Sequence, residues 1–331
     1  MKSPFTGKEM KLVKEKRQME FRKEKFNVIF HFYLCEDTNE QFTDIHLDEL
    51  NVNQLYNQYR DLYNIPFQDE IISIRKKYNL SSVKMSQILG FGPNGYRLYE
   101  SGEIPSLSNA KLIQMANDPN DFIKLLNMCD KIDQEEKHKI TDDIKHLINK
   151  EENAVFEREY VDYLFGSEFP SFTTGYKKPS FEKICNMVAF FGEKLSPFKT
   201  KMNKLLFYSD FLMYRESCFS ISGLKYQAIQ RGHVPVNFQS LYDFLYNKNI
   251  IKINMVDFGE YYREQIINSI EFDDELFSSK ELEILRFVAE KFEDINSTQI
   301  SDLSHMEKTW IENVEDKDLI NYNYSFELST I

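Results

Sequence analysis

Between residues 203 and 213 the chain reads Asn-Lys-Leu-Leu-Phe-Tyr-Ser-Asp-Phe-Leu-Met, and one residue in that run, Asp210, constrains the fold more than any other. Leu205, Leu206, Tyr208, Leu212 and Met213 recur at helical spacing and form a broad apolar face, punctuated by Lys204, Asp210 and Arg215. An aspartate enclosed by Phe207, Tyr208 and Phe211 is tolerated in a core only with hydrogen-bonding partners, because an unpaired buried charge is expensive. The nearest candidates in chain order are Lys225, Tyr226 and Arg231.

A chain of 331 residues is long enough for two or three domains, each with its own core. No apolar run approaches the roughly 20 residues that cross a bilayer, and the N-terminus has no apolar signal segment, so the expectation is a cytoplasmic protein without membrane contact. Cys35, Cys129, Cys185 and Cys218 are scattered without pairing spacing, which fits small buried hydrophobes in a reducing compartment. The net charge of −12 is unevenly spread. Residues 1–118 hold 16 Lys+Arg against 16 Asp+Glu, whereas residues 119–331 hold 25 against 37. The first third can approach a phosphate backbone; the acidic remainder repels it and favours basic partners.

From Phe26 the pattern alternates, with Phe26, Val28, Phe30, Phe32 and Leu34 on one side and Asn27, His31 and Cys35 on the other, which predicts an antiparallel ribbon. Two turn-like tetrads bracket it, Ser3-Pro4-Phe5-Thr6 and Cys35-Glu36-Asp37-Thr38. They stand where a zinc ribbon has its two Cys-x-x-Cys knuckles, and the region resembles the YgiT-type zinc-finger module that precedes the helix-turn-helix of MqsA-like antitoxins. Ser3, Thr6 and Thr38 are poor zinc ligands and Cys35 alone closes no tetrahedral site, so a degenerate, metal-free ribbon is expected, with His31 and His46 as ordinary histidines. A helix over Asp44–Asn64 ends at Pro66.

Residues 69–118 carry Ile71, Ile72, Ile74 and Tyr78 on one face, then Leu80-Ser81, a helix from Val83 or Met85 to Leu89, the turn Gly90-Phe91-Gly92-Pro93-Asn94, a helix from Gly95 to Ser101, Gly102, and Ile104-Pro105-Ser106. This pattern resembles the Xre-like helix-turn-helix. The resemblance puts the start of the second helix in the DNA major groove, with Asn94 and Arg97 at base edges, Tyr96 at a base or in the core, and Ser81, Ser82 and Lys84 near phosphate. Ser82 replaces the Gln common at that helix start, and Leu98 stands where the MqsA-like pattern prefers Arg. With 6 Lys+Arg against 5 Asp+Glu over residues 67–118, one copy binds DNA weakly, so a homodimer on operator DNA is expected. Lys131–Lys150, with Ile132, Ile140, Ile144, Leu147 and Ile148 at helical spacing, is a candidate for packing against a second copy, and 153–180, with Gly166, Pro170, Gly175 and Pro179, for a linker.

The C-terminal half carries four motifs in order: Asn203–Phe211, Gly223-Leu224-Lys225-Tyr226, Arg231-Gly232-His233-Val234-Pro235-Val236, and Ser304-His305-Met306-Glu307-Lys308-Thr309-Trp310. Together they resemble the Panacea (SocA-like) domain, by which many bacterial antitoxins hold a toxin inactive. His233 departs from the family's Gly-Pro-Val-Pro loop by standing at its first Pro. The resemblance implies a type II antitoxin that binds a cognate toxin and represses its own operon, with Tyr208, Asp210, Tyr226, Arg231, His233, Pro235, His305 and Trp310 as toxin-binding or motif residues, Tyr208 in the core and Tyr226, Arg231 and His233 as the contacts, and with residues from about Phe181 onward sufficient for neutralisation. An orphan helix-turn-helix regulator whose acidic domain senses a ligand or dimerises is the alternative.

The fold class expected is α+β and multidomain: a β-ribbon over 1–45, a connecting helix over 46–66, an all-α helix-turn-helix domain over 67–130, a helix and linker over 131–180, and a mainly helical Panacea domain with a small β element over 181–331. The sequence offers no convincing nucleophile, no Gly-rich phosphate loop and no His/Asp metal cluster, so no catalytic residue, metal or cofactor is expected. An enzyme using Cys218 or Cys185 with His233 or His305 would need a thiol of lowered pKa.

Overall fold

The computed structural model describes residues 1–152, 155–166, 169–259 and 261–331, with 149–152 and 155–158 described by backbone alone. The chain is α+β and about half helical, with three small antiparallel sheets among the described residues. It divides into two compact units. One is built from two segments, residues 1–55 and 163–331, and the other from residues 56–162 alone. The ribbon and the C-terminal half therefore share a unit, and the chain leaves it and returns.

In the two-segment unit, β1 (Lys11–Phe21) pairs antiparallel with β2 (Glu24–Leu34), and β3 (Gln41–Phe42) extends the far end of β2. The hairpin turns through Arg22 and Lys23, both at positive φ (49° and 73°). Two-residue hairpins require that geometry, and here charged residues adopt it without glycine or asparagine. The edge of β2 that β1 leaves open is satisfied by side-chain amides of α1 (Ile45–Tyr63). Asn51 accepts from His31 N at 2.8 Å and donates to His31 O at 2.9 Å, and Gln54 does the same for Ile29 at 2.8 Å in both directions. These amides stand in for a missing strand and remove an edge that invites aggregation. Phe26, Val28 and Phe32 are buried as the alternation predicts, but so is His31, whose ring packs against that of Phe326 at 4.9 Å.

The core of this unit is α10 (Lys199–Ser217), buried on nearly every side. Around it pack α9 (Phe181–Leu195), the hairpin β4 (Tyr226–Ile229) and β5 (Gly232–Pro235), α11 (Phe238–Asn247), the hairpin β6 (Ile251–Asp257) and β7 (Tyr262–Asn268), and α12 (Ser279–Lys291), α13 (Ser297–Met306) and α14 (Lys308–Ile311). The hairpins supply the small β element expected in this half, and near the C-terminus one bridge, Gln227 to Leu319, is followed by a 3₁₀ turn over Tyr322–Glu327. Of the segment expected as a linker, residues 153, 154, 167 and 168 lie outside the described residues, and its end is packed rather than free. Tyr176 and Thr174 are buried, Ser220 N donates to Gly175 O at 2.9 Å, and a methyl group on Gly175, whose φ is +59°, would fall 2.6 Å from Ser220 Cβ.

In the one-segment unit, α2 (Gln68–Lys77), α3 (Ser82–Ile88), α4 (Gly95–Glu100), α5 (Leu107–Met115), α6 (Pro119–Met128) and α7 (Gln134–Glu152) enclose one apolar cluster, and α8 (Val155–Phe165) follows α7 in the chain. Ser81 caps α3 by accepting from Lys84 N, and Ser106 caps α5 by accepting from Asn109 N. Ile132, Ile140 and Ile144 are buried in this cluster, with Leu147 and Ile148 packed against it. The apolar face expected to meet a second copy is thus consumed within the unit.

Candidate partner-binding site

Three buried polar nodes tie the C-terminal motifs together. Asp210, fully buried on α10, accepts four hydrogen bonds: Ile221 N and Ser222 N on Oδ1 at 2.8 Å each, Tyr226 Oη on Oδ2 at 2.7 Å, and Ser222 Oγ on Oδ2. Burial raises its pKa, opposed by the bonds from Ser222, Tyr226 and Ile221. Of the three candidate partners, Tyr226 alone meets it; two backbone amides and a serine complete the set. At the second node His233 stacks on Phe207 with ring centroids 3.9 Å apart, its Nδ1 2.7 Å from Ser304 Oγ and its Nε2 2.7 Å from Thr309 Oγ1. Burial pushes its pKa well below the usual value, so the ring is neutral. At the third, Glu307 is fully buried and accepts from Ser329 N, Ser329 Oγ and Thr330 N, fastening the C-terminus.

Tyr208, Asp210, Tyr226, His233 and Pro235 are therefore core residues; of the loop residues expected as contacts, Tyr226 and His233 present no surface to bind. His305 and Trp310 are half-buried, their rings 4.2 Å apart, with Trp310 Nε1 donating to Ile229 O at 2.9 Å. Arg231, at the β4–β5 turn, is exposed and has no side-chain partner among the described residues.

Beside it opens a cavity of about 720 Å³, lined by Lys199, Lys204, Arg231, Tyr261, Tyr262 and Asp302 among others. Lys199 Nζ is engaged by Glu264 and, at 3.2 Å, by Gln239 Oε1. Lys204 is 0 % exposed and its Nζ has no hydrogen-bond partner among the described residues. Sequence reading missed the β6–β7 hairpin that forms one wall. Its Met255, Phe258, Tyr261 and Tyr262 are 55, 46, 48 and 63 % exposed, and Arg263 lies over the Phe258 and Tyr261 rings at 5.0 and 5.1 Å. Exposed tyrosines beside an arginine have the composition of a binding hot spot.

In the one-segment unit Asn94 and Arg97 are exposed at the start of α4, and Ser81 is exposed at the start of α3 with Ser82 half-buried. Of the two places open to Tyr96, it takes the core: it is fully buried, its hydroxyl donating to Ile71 O at 2.8 Å and its amide to Ser86 Oγ at 2.9 Å, so it holds α4 in place. Lys84 is paired with Glu136 at 2.8 Å, which neutralises the cation offered to phosphate.

At the end of the ribbon the two tetrads converge. Thr6 Oγ1 lies 3.9 Å from Cys35 Sγ, and the Ser3, Thr38 and Thr6 hydroxyls pull the thiol pKa down to about 7. Hydroxyls thus gather around one sulfur, and among the described residues no group of three or more His, Cys, Asp or Glu is placed to hold a metal. Cys185 and Cys218 are the reverse: burial raises both thiols, Cys185 to about 12, away from nucleophilic thiolate. No described helix is long and apolar enough to cross a membrane.

Residues 202–311, from the first turn of α10 to the end of α14, match the family described as antitoxin SocA-like, Panacea domain. That stretch is similar to an antitoxin domain. It contains the Asp210, His233 and Glu307 nodes, the cavity's principal cations and the β6–β7 hairpin. No curated protein matches the chain.

Proposed function

We propose that this protein neutralises a cognate toxin by direct binding through the two-segment unit, and that residues 56–162 act as a helix-turn-helix that brings a dimer of the chain to operator DNA. The match of residues 202–311 to the SocA-like antitoxin domain carries the reading. The toxin-facing surface is assigned to the exposed Arg231, Met255, Tyr261 and Tyr262 with the half-buried His305 and Trp310 beside them, since Tyr208, Asp210, Tyr226, His233 and Pro235 are core. On the DNA side α3, the turn over Leu89–Asn94 and α4 have the lengths of a helix-turn-helix, with Asn94 and Arg97 outward.

The test is co-expression with the product of the adjacent gene. Growth rescue and co-purification are expected from the wild-type chain, with loss of both for Tyr261→Ala combined with Tyr262→Ala at unchanged thermal stability. A protein that neither rescues nor co-purifies with that product speaks for the orphan-regulator alternative.

A further inference from the structure

The cavity beside Arg231 has a chemistry at odds with the rest of its unit. The surrounding chain is acidic, yet the cavity gathers Lys199, Lys204, Arg231 and Arg263 against Glu264 and Asp302, and Glu264 is spent on Lys199. Arg263 is occupied by its aromatic neighbours and by Tyr261 Oη at 3.0 Å. Two cations, Lys204 and Arg231, remain without a hydrogen-bond partner among the described residues.

Lys204 is the informative one. A lysine closed from solvent with no acceptor is destabilising to the fold and has no structural return. The fold nevertheless makes room for it. Gly232, at φ +94°, passes so close that a methyl group there would lie 3.1 Å from Lys204 Nζ and 2.8 Å from its Cε. Burial and the nearby Arg231 push the amine pKa down to about 7, as expected of a cation waiting for an anion. The opposite wall is aromatic and apolar: Phe198, Met255, Tyr261 and Tyr262. A cavity of about 720 Å³ lies within the range of small-molecule sites.

We infer that this cavity binds a small organic phosphate of the nucleotide class, its phosphate taken by Arg231 and by Lys204, whose flexible stem extends toward it, and its ring set against the tyrosine wall. Asp302, at the mouth, disfavours a second anionic group on that side and fits a ligand with a single phosphate. Binding requires neither toxin nor DNA, so failure here leaves the antitoxin reading standing, and failure of that reading leaves this site to be tested alone.

The experiment is calorimetric titration of the full chain, at matched ionic strength, with adenosine 5′-monophosphate, inorganic phosphate and chloride. Adenosine monophosphate is expected to bind at least tenfold more tightly than phosphate, with chloride giving no saturable signal. Lys204→Met and Arg231→Gln are each expected to weaken nucleotide binding tenfold or more. The methionine variant should melt at or above the wild-type temperature, an outcome a merely structural lysine would not give. Should it fail to fold, the exposed Arg231→Gln decides. Nucleotide binding absent, or unchanged in Arg231→Gln, overturns the site; phosphate binding as tightly as the nucleotide overturns the ring assignment.

Discussion

At the residue scale the molecule is governed by polar groups taken out of water, and they are paired to different extents. Asp210 is fully paired, so Asp210→Asn turns an NH₂ toward hydroxyls that had donated to Oδ2 and should lower the unfolding free energy by about 2 to 3 kcal/mol in urea titration. Lys204 has no partner among the described residues, and its effect on stability depends on pH. Its folded pKa of about 7 lies below the unfolded value of 10.5, so between those limits the unfolded chain binds more protons and stability rises with pH. Below pH 7 the full penalty of burying the ammonium applies. Lys204→Met should therefore exceed the wild type in stability most at pH 7 and below, with the gap closing by at most about 1.4 kcal/mol per pH unit as pH climbs toward 10. Matched denaturant titrations at pH 6.5, 8 and 9.5 read this directly; a gap that widens with pH contradicts the assignment. Asp210's need for a partner was legible in the sequence because a charge amid aromatics has few exits. The role of His233 was not, since stacking on Phe207 and bonding to Ser304 and Thr309, some 70 residues away, leave no local trace.

At the element scale, legibility followed the strength of local signals. The helices of residues 68–115 were readable because glycines, serine caps and apolar periodicity all act within a few residues. The β1–β2 turn offered no glycine or asparagine, and the β6–β7 hairpin is half exposed along both strands, so neither the turn nor the later hairpin announced itself. The amides of Asn51 and Gln54 looked like ordinary polar positions on a helix until a strand edge was set beside them. On the proposed reading, α4 and its N-cap separate stability from DNA recognition within four residues. Asn94→Ala with Arg97→Ala should leave the melting temperature unchanged, because both are exposed, and abolish the operator shift in a gel. Tyr96→Ala should instead reduce stability by about 3 to 5 kcal/mol, because a fully buried ring and its bond to Ile71 O are lost. Operator binding that survives the double variant at full affinity would move the DNA surface elsewhere.

At the scale of the whole molecule the chain makes its C-terminal half depend on its first 55 residues. Cys218 Sγ lies 3.5 Å from Leu50 O, Asn53 Nδ2 donates to Ser217 O at 3.4 Å, Lys14 Nζ donates to Phe326 O at 2.8 Å, and the His31 and Phe326 rings lie 4.9 Å apart. Residues 171–180 are threaded as tightly: Ser180 N donates to Ser222 O, and a methyl group on Gly223 would meet Lys178 at 2.7 Å. Composition marked the ribbon as a separate module because alternation, charge and turns are local properties. Contacts across hundreds of residues assign it to the C-terminal unit instead. A fragment from Phe181 onward, which motif order alone suggests is sufficient for neutralisation, would expose the apolar surfaces that β2, α1 and the 171–180 segment cover. It should be aggregation-prone and should melt well below a chain in which residues 1–55 and 163–331 are joined by a flexible Gly/Ser linker. The joined chain should unfold cooperatively and keep toxin neutralisation while losing operator binding. Scanning calorimetry of the two, alongside the co-expression assay, decides the matter: a fragment from Phe181 that melts as high as the joined chain and neutralises equally well would make the ribbon dispensable.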